Sequence, residues 1–325
     1  MTSGVPEAVA DGRAPTPLRN PRIAILMATF CGERFLSQQL DTIAAQSCSD
    51  WALRVSDDRS TDRTLGILES YRANWGRERL SIQTGPALGF RANFLSLVCD
   101  PLIQAEYFAY ADQDDLWDAE KLAVAVRWLE SVPATVPALY CARTRLIDEA
   151  GDAIGFSPLF SKAPKFENAL VQSIAGGNTM VFNRAARALL VEAGAQVLVQ
   201  THDWWTYILV SACGGTVRYD AAPGVGYRQH GLNLVGSNAS WRGRYHRARR
   251  LIAGEFKIMN DRNIAALQRM RHRFTPESAR VLDEFTRARD ATLIPRLRGV
   301  RRSGVYCQTP LSSAALLGSV LLKKL

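Results

Sequence analysis

Ile23-Ala24-Ile25-Leu26-Met27-Ala28 is an unbroken apolar run that gives way to a polar turn, Thr29-Phe30-Cys31-Gly32-Glu33, and then to Phe35, Leu36, Leu40, Ile43 and Ala44 on one helical face. A short buried strand followed at once by an amphipathic helix is the opening of a βαβ unit. The alternation continues along the chain. Strands are expected at Ile23–Ala28, Ala52–Ser56, Leu80–Gln83, Tyr107–Ala111 and Ala138–Cys141, with helices between them at Glu33–Gln46, Asp62–Asn74, Arg91–Cys99 and Glu120–Ser131. This pattern predicts an α/β fold with a mostly parallel sheet between helices.

Outward from that core the pattern loosens. Residues 142–235 predict a hairpin turn at Asp148–Asp152, a turn at Gly176 and Gly177, strands at Thr179–Phe182 and Thr216–Tyr219, and a helix from about Asp203. Beyond Gly236 come Arg-rich helical segments, Trp241–Asp261 and Glu277–Arg289, expected as an appendage to the main domain. The organisation that follows is a flexible tail over 1–20, a main α/β domain over 21–235 with halves 21–141 and 142–235, and a basic helical extension over 236–325.

At 325 residues, 47% hydrophobic and 22% charged, the chain can bury a sizeable core and is neither collagenous nor disordered. Its six cysteines have no C-x-x-C pair, which argues against a zinc ribbon or a disulfide scaffold and for reduced thiols in the cytoplasm. Met1–Asn20 lacks the apolar core of a signal peptide, and Leu311–Leu322 is too short to span a bilayer. The net charge of +9 is unevenly placed: residues 1–235 carry 21 Lys and Arg against 25 Asp and Glu, and residues 236–325 carry 19 against 6. So cationic a segment calls for an anionic partner or a solvated face.

In an open α/β sheet, ligands bind at the carboxyl ends of the strands. Three polar segments occupy such places: Thr29–Glu33, Ser56-Asp57-Asp58-Arg59-Ser60-Thr61-Asp62-Arg63-Thr64, and Asp112-Gln113-Asp114-Asp115. Clustered carboxylates repel one another, and a hard divalent cation that also holds a diphosphate would neutralise them. An acidic turn that merely caps the next helix fits the Asp112–Asp115 spacing equally well, and Asp62 also suits a helix cap. Two acidic turns on neighbouring strands would set Asp57 or Asp58 beside a base or ribose, and Asp114 and Asp115 beside phosphates.

Taken in order, Met27-Ala28-Thr29-Phe30-Cys31-Gly32, Ser56–Thr64 and Asp112-Gln113-Asp114-Asp115-Leu116-Trp117 resemble the family 2 glycosyltransferases of the GT-A fold. Gly177-Asn178-Thr179-Met180-Val181-Phe182-Asn183, His202-Asp203-Trp204-Trp205 and Tyr227-Arg228-Gln229-His230-Gly231-Leu232-Asn233 are similar to the rhamnosyltransferase-like branch that builds bacterial surface polysaccharides. The resemblance implies a Rossmann-like mixed sheet and an inverting transfer of sugar from a nucleotide diphosphate, dTDP- or UDP-linked, with L-rhamnose from dTDP-rhamnose the first choice. It implies Mg²⁺ or Mn²⁺ at Asp114 or Asp115, with His230 touching metal or diphosphate. Donor contacts are implied for Thr29, Phe30, Asp58, Asp112, Gln113 and Asp114, with Glu33, Asp57 and Asn93 as further candidates. Many members carry Tyr-Asn where this chain has Phe30-Cys31, so stacking on a base survives and a contact from the next side chain does not.

Transfer to a hydroxyl needs a base for the acceptor proton. Asp203 stands where relatives carry the catalytic aspartate, with His202 expected to orient it or touch donor phosphates. Trp204, Trp205, Gly177, Asn178 and Thr179 are expected on the acceptor side, the acceptor being a glycan or lipid-linked oligosaccharide. A dinucleotide enzyme would need G-x-G-x-x-G after the first strand, and a P-loop is missing too. A sugar nucleotidyltransferase would need a Gly-rich, Lys-bearing loop near the start. Nucleic acid is not expected as a partner, because the arginines lack interleaved aromatics. The basic segment 236–325 is expected to rest on anionic lipid at the inner face of the plasma membrane, holding a cytoplasmic protein there peripherally.

Overall fold

The computed structural model describes residues 20–231 and 255–325. Its first half runs β1 (Ile23–Thr29), α1 (Leu36–Ala44), β2 (Trp51–Asp57), α2 (Thr64–Trp75), β3 (Leu80–Thr84), α3 (Phe90–Cys99), β4 (Tyr107–Ala111), β5 (Leu116–Trp117), α4 (Lys121–Leu129) and β6 (Ala138–Ala142). Then follow β7 (Arg145–Ile147), β8 (Ala153–Phe156), α5 (Phe166–Ala169), a 3-10 turn (Gly177–Thr179), β9 (Val181–Asn183), α6 (Arg184–Ala193), α7 (His202–Ala212), β10 (Thr216–Asp220) and β11 (Val225–Arg228). The last helices are α8 (Glu255–Arg269), α9 (Pro276–Asp290), α10 (Leu293–Ser303) and α11 (Pro310–Leu321).

Every strand and helix expected between residues 23 and 141 is present, with ends shifted by no more than a few residues, and β5 is added. The main sheet has the order β10-β6-β9-β4-β1-β2-β3. It is mixed rather than simply parallel, because β9 runs antiparallel to both β4 and β6. Gly177–Thr179 winds into a 3-10 turn where a strand from Thr179 was expected, and β9 begins only at Val181. Asn183 then ends β9 and caps α6, its side chain accepting the Ala186 N–H.

A smaller sheet, β5-β11-β7-β8, stands over the carboxyl edge of the main one. The hairpin expected at Asp148–Asp152 joins β7 and β8, with Asp148 Oδ1 accepting the N–H groups of Ala150, Gly151 and Asp152 at 2.9–3.0 Å. Because β5 intervenes between Asp115 and α4, the Asp112–Asp115 turn does not cap a helix.

Two apolar layers sandwich the main sheet. Ile23, Ile25, Met27, Leu53 and Val55 face α1, α2 and α4, whereas Leu26, Phe108, Tyr110 and Phe182 face α3, α6 and α7. The second layer continues without a break into Leu267, Leu282, Phe285, Leu316 and Val320, so helices α8–α11 share the core of the main domain. Each large apolar side chain so buried contributes about 1.5–3 kcal/mol. Part of the basic charge is spent inside this packing: Arg296 is buried on the carbonyls of Ala291 and Val320, and Arg289 on Asp261 and the Leu325 carbonyl. The expected helix Trp241–Asp261 lies mostly outside the described residues, as does Asn233.

Candidate active site

The turn after β2 meets the turn after β1 through Asp57. Its carboxylate accepts from the Thr29 hydroxyl at 2.8 Å and from the Ser60 hydroxyl and N–H at 2.6 and 2.8 Å. These contacts hold Arg59 at φ 67°, in the left-handed region. Asp58 fastens the next loop, accepting from the N–H groups of Ala87 at 2.7 Å and Gly89 at 3.1 Å, with Ala87 itself at φ 55°. Gly85 has no room for a side chain there, since a Cβ would lie 2.5 Å from Asp58 Oδ1 and 2.6 Å from Asn93 Oδ1. Asn93 donates to the Ser56 carbonyl, leaving its Oδ1 and the Ser56 hydroxyl buried and without partners. Above this floor Phe30 is 60% exposed, an open ring suited to stacking. Glu33 points elsewhere, accepting from the Arg63 N–H at the start of α2.

The Asp112–Asp115 turn ends β4. Gln113 grips the backbone of Phe30 in both directions, accepting its N–H at 2.9 Å and donating to its carbonyl at 3.0 Å. Asp112 and Asp114 are half-buried, and Asp114 Oδ2 lies 2.7 Å from His230 Nε2. Burial, and then the charges of Asp115, Asp114 and Asp203, push the Asp112 carboxyl well above the usual carboxylate range. Four carboxylates from two distant parts of the chain thus converge.

Asp115 corrects an expectation. It is fully buried, and its oxygens accept from Asn178 Nδ2 at 2.5 Å and from the Arg228 N–H at 3.2 Å. Both oxygens are engaged within the protein, so Asp115 does not present a free carboxylate edge to the cleft as expected of a metal ligand. Burial and the Asp114 charge raise its carboxyl to about 7.

Asp203 sits in the first turn of α7, where Thr201 supplies the cap. It is half-buried, with Oδ2 accepting the Gly177 N–H at 3.1 Å and Oδ1 the Trp204 N–H at 2.7 Å. His202 is not hydrogen-bonded to it. That ring is buried with both nitrogens unpartnered, stacked on Phe94 at 3.9 Å and edge-on to Tyr110 at 4.7 Å, and burial lowers its pKa to about 4. His202 is a neutral wall beneath Asp203.

The acceptor-side expectations change most. Trp204 and Trp205 are both buried in the core, Trp204 donating to the Ala169 carbonyl, so neither offers a face to a sugar. The reason is that α7 is covered on several sides by α3, α5 and α6. Asn178 and Thr179 are buried too, with Asn178 turned onto Asp115 and the Thr179 hydroxyl onto the Gly176 carbonyl. Gly177 is held beneath Asp203 rather than open to an acceptor.

Residues 24–188, about half of the chain, match the family described as glycosyl transferase family 2. The chain belongs to that family. It is similar to the dTDP-rhamnosyl transferase RfbG of Shigella flexneri, with 29% identity over 237 residues, covering 68% of this chain and 77% of RfbG. It also resembles the putative glycosyltransferase EpsE of Bacillus subtilis, at 32% identity over 112 residues, covering 34% of this chain and 39% of EpsE. Among solved structures, S. aureus TarS 1–349 in complex with UDP-GlcNAc superposes with a TM-score of 0.51 at 15% identity, covering 88% of this chain and 93% of that one. The fold is therefore that of the GT-A glycosyltransferases.

Two buried cations shape the site of this glycosyltransferase from below. Arg228 is fully buried on β11, donating from Nε to the Asp114 carbonyl at 2.9 Å, from Nη1 to the Glu149 carbonyl at 2.7 Å and from Nη2 to Gln38 at 2.7 Å. Its guanidinium also stacks over Phe35 at 4.5 Å. The available signal was a single charge in a strand-like run, Val225-Gly226-Tyr227-Arg228, because an arginine buried in a sheet must find acceptors. Lys121 is a second such residue: it is buried over the Trp117 ring at 3.5 Å, and burial lowers its pKa to about 7.

Proposed function

We propose that this glycosyltransferase moves L-rhamnose from dTDP-L-rhamnose to a hydroxyl of a glycan or lipid-linked acceptor in bacterial surface polysaccharide synthesis, with inversion at the anomeric carbon. The observation that carries the reading is the convergence of Asp112, Asp114 and His230 on one side with Asp203 on the other. Rhamnose and thymidine rest on the similarity to RfbG.

The residues present fit a divalent cation such as Mg²⁺ or Mn²⁺. Asp112 and Asp114 bring two crowded carboxylates and His230 an imidazole, and the charge repulsion on Asp112 is of the kind a cation relieves. Among the described residues no group of three or more His, Cys, Asp or Glu is placed to hold a metal ion by itself, so a cation here would depend on diphosphate oxygens and water for most of its coordination. Bound there, the ion would offset the charge developing on the departing diphosphate. Phe30 stacks on the base, over the floor shaped by Asp57, Asp58 and Asn93. Asp203 takes the acceptor proton as the acceptor oxygen bonds to the anomeric carbon and the bond to diphosphate breaks.

Calorimetric titration with dTDP-, UDP- and GDP-sugars in Mn²⁺, Mg²⁺ or EDTA tests the donor. Binding of dTDP-rhamnose that EDTA weakens by about tenfold or more is expected; uniform failure of all nucleotide sugars would sink the proposal.

The same reading places the enzyme in the cytoplasm, resting on anionic lipid at the inner membrane face. Its support is an apolar stripe on α11 that is exposed among the described residues, Leu311, Ala314, Leu317 and Leu321, with Leu322 and the exposed Lys323 beyond it, and the exposed Arg298, Arg301 and Arg302 of α10. No helix among the described residues is long and apolar enough to cross a bilayer. Full-length protein is expected to float with phosphatidylglycerol vesicles and not with phosphatidylcholine vesicles, and Leu317→Asp with Leu321→Asp should abolish flotation. Equal recovery with both lipids would exclude this contact.

A further inference from the structure

We infer that Asp115 and Asn178 are positioning residues that tie the Asp112–Asp115 turn to Asp203. The inference rests on the roles proposed above for Asp114 and Asp203. Asp115 follows Asp114 directly, and its side chain reaches across the cleft floor through the 2.5 Å hydrogen bond from Asn178 Nδ2. Asn178 in turn follows Gly177, whose N–H holds Asp203 Oδ2. Beyond the backbone contact of Tyr110 with Met180, this side-chain hydrogen bond joins the segment proposed to face the donor phosphates to the segment that holds the proposed base.

Neither end of this bridge has freedom to drift. A Cβ on Gly177 would lie 2.6 Å from His202 Nε2 and 3.3 Å from Asp203 Cβ, so the 3-10 turn is pressed against α7 at closest approach. On the other side Arg228 secures two consecutive residues, its N–H on Asp115 Oδ1 and its Nε on the Asp114 carbonyl. A buried carboxylate is costly where an amide would also accept the Arg228 N–H. What the acid adds is a second acceptor oxygen, so that Oδ2 takes Asn178 Nδ2 while Oδ1 takes the Arg228 N–H, which the single oxygen of an amide could not do in this arrangement. Base, anomeric carbon and leaving diphosphate must align closely for single displacement, and such alignment requires rigid support of this kind.

An exchange of the two side chains tests the bridge. Asp115→Asn leaves two amides face to face, and Asn178→Asp leaves two carboxylates. Combined, they restore an amide against a carboxylate, and position 115 keeps an oxygen for the Arg228 N–H. Each single variant is expected to lose about tenfold or more in kcat, and the exchange to recover to within about threefold of wild type. A folded exchange variant, with a wild-type Tm, that stays as slow as the singles overturns the coupling. Should the exchange not fold, Asn178→Ala serves: a lower kcat at unchanged acceptor KM supports the bridge, and an unchanged kcat or a raised acceptor KM alone overturns it. A wild-type chain that turns over no nucleotide sugar overturns the transfer reading and the coupling with it, whereas an active wild type without rescue overturns the coupling alone.

Discussion

Asp203→Asn is expected to lower sugar transfer by about 10²–10⁴-fold with little change in donor affinity. The substitution removes the proposed base while keeping its shape. Asp203 Oδ2 accepts from the Gly177 N–H and Oδ1 from the Trp204 N–H, and an amide oxygen can still satisfy one of the two. The helix start is spared because Thr201, not Asp203, caps α7. His202 cannot take over as base, since its ring is walled in by Phe94 and Tyr110 with its pKa lowered to about 4. Steady-state rates on wild type and variant, beside calorimetric donor binding on both, separate the effects. A variant retaining a rate close to wild type would remove Asp203 from the chemistry.

Much of this enzyme was legible before any coordinates because its βαβ half obeys local rules. The run Ile23–Ala28 and the helical spacing of Leu36, Leu40 and Ile43 are decided within a few residues of themselves, and the strand ends that follow are where an α/β sheet exposes polar groups. Asp114 and His230, from two separate motifs, lie within hydrogen-bond distance of each other. What failed was whatever depends on which side of an element faces the core. Trp204 and Trp205 are adjacent on α7, and periodicity would have sent one of them outward, but α7 is enclosed and takes both in. Asn178 and Thr179 looked open because glycines precede them; those glycines instead let the turn press against His202. Asp115 could not be told from Asp114 by spacing alone. Only the tertiary arrival of Arg228 and Asn178, more than sixty residues away in sequence, distinguishes a buried strut from a carboxylate that faces the cleft. The C-terminal arginines illustrate the same limit: a count of charge does not reveal that Arg289 and Arg296 are buried on carbonyl oxygens.

Asp114→Asn is expected to abolish metal-dependent donor binding, weakening it by about 10²-fold or more, while leaving the fold intact. The separation is possible because the structural bond at this residue is made by its carbonyl, which accepts from Arg228 Nε, whereas its carboxylate meets His230. Calorimetry on the variant should give the same weak affinity with Mn²⁺ as with EDTA, at a Tm close to that of wild type. The pH dependence carries the same argument further. In the metal-free protein the Asp112 carboxyl is raised well above its ordinary range by burial and by its acidic neighbours, so it still holds a proton where an exposed aspartate would have lost one. A cation at the proposed site would have to displace that proton, and wild-type donor affinity in Mn²⁺ is therefore expected to fall as pH is lowered, beginning at a pH above the ordinary carboxylate range. The sign follows from the charge: acidification would fill the site with protons and disfavour the cation. In EDTA this dependence should disappear. An Asp114→Asn variant that binds dTDP-rhamnose as tightly as wild type, with the same response to EDTA, would move the metal away from this turn.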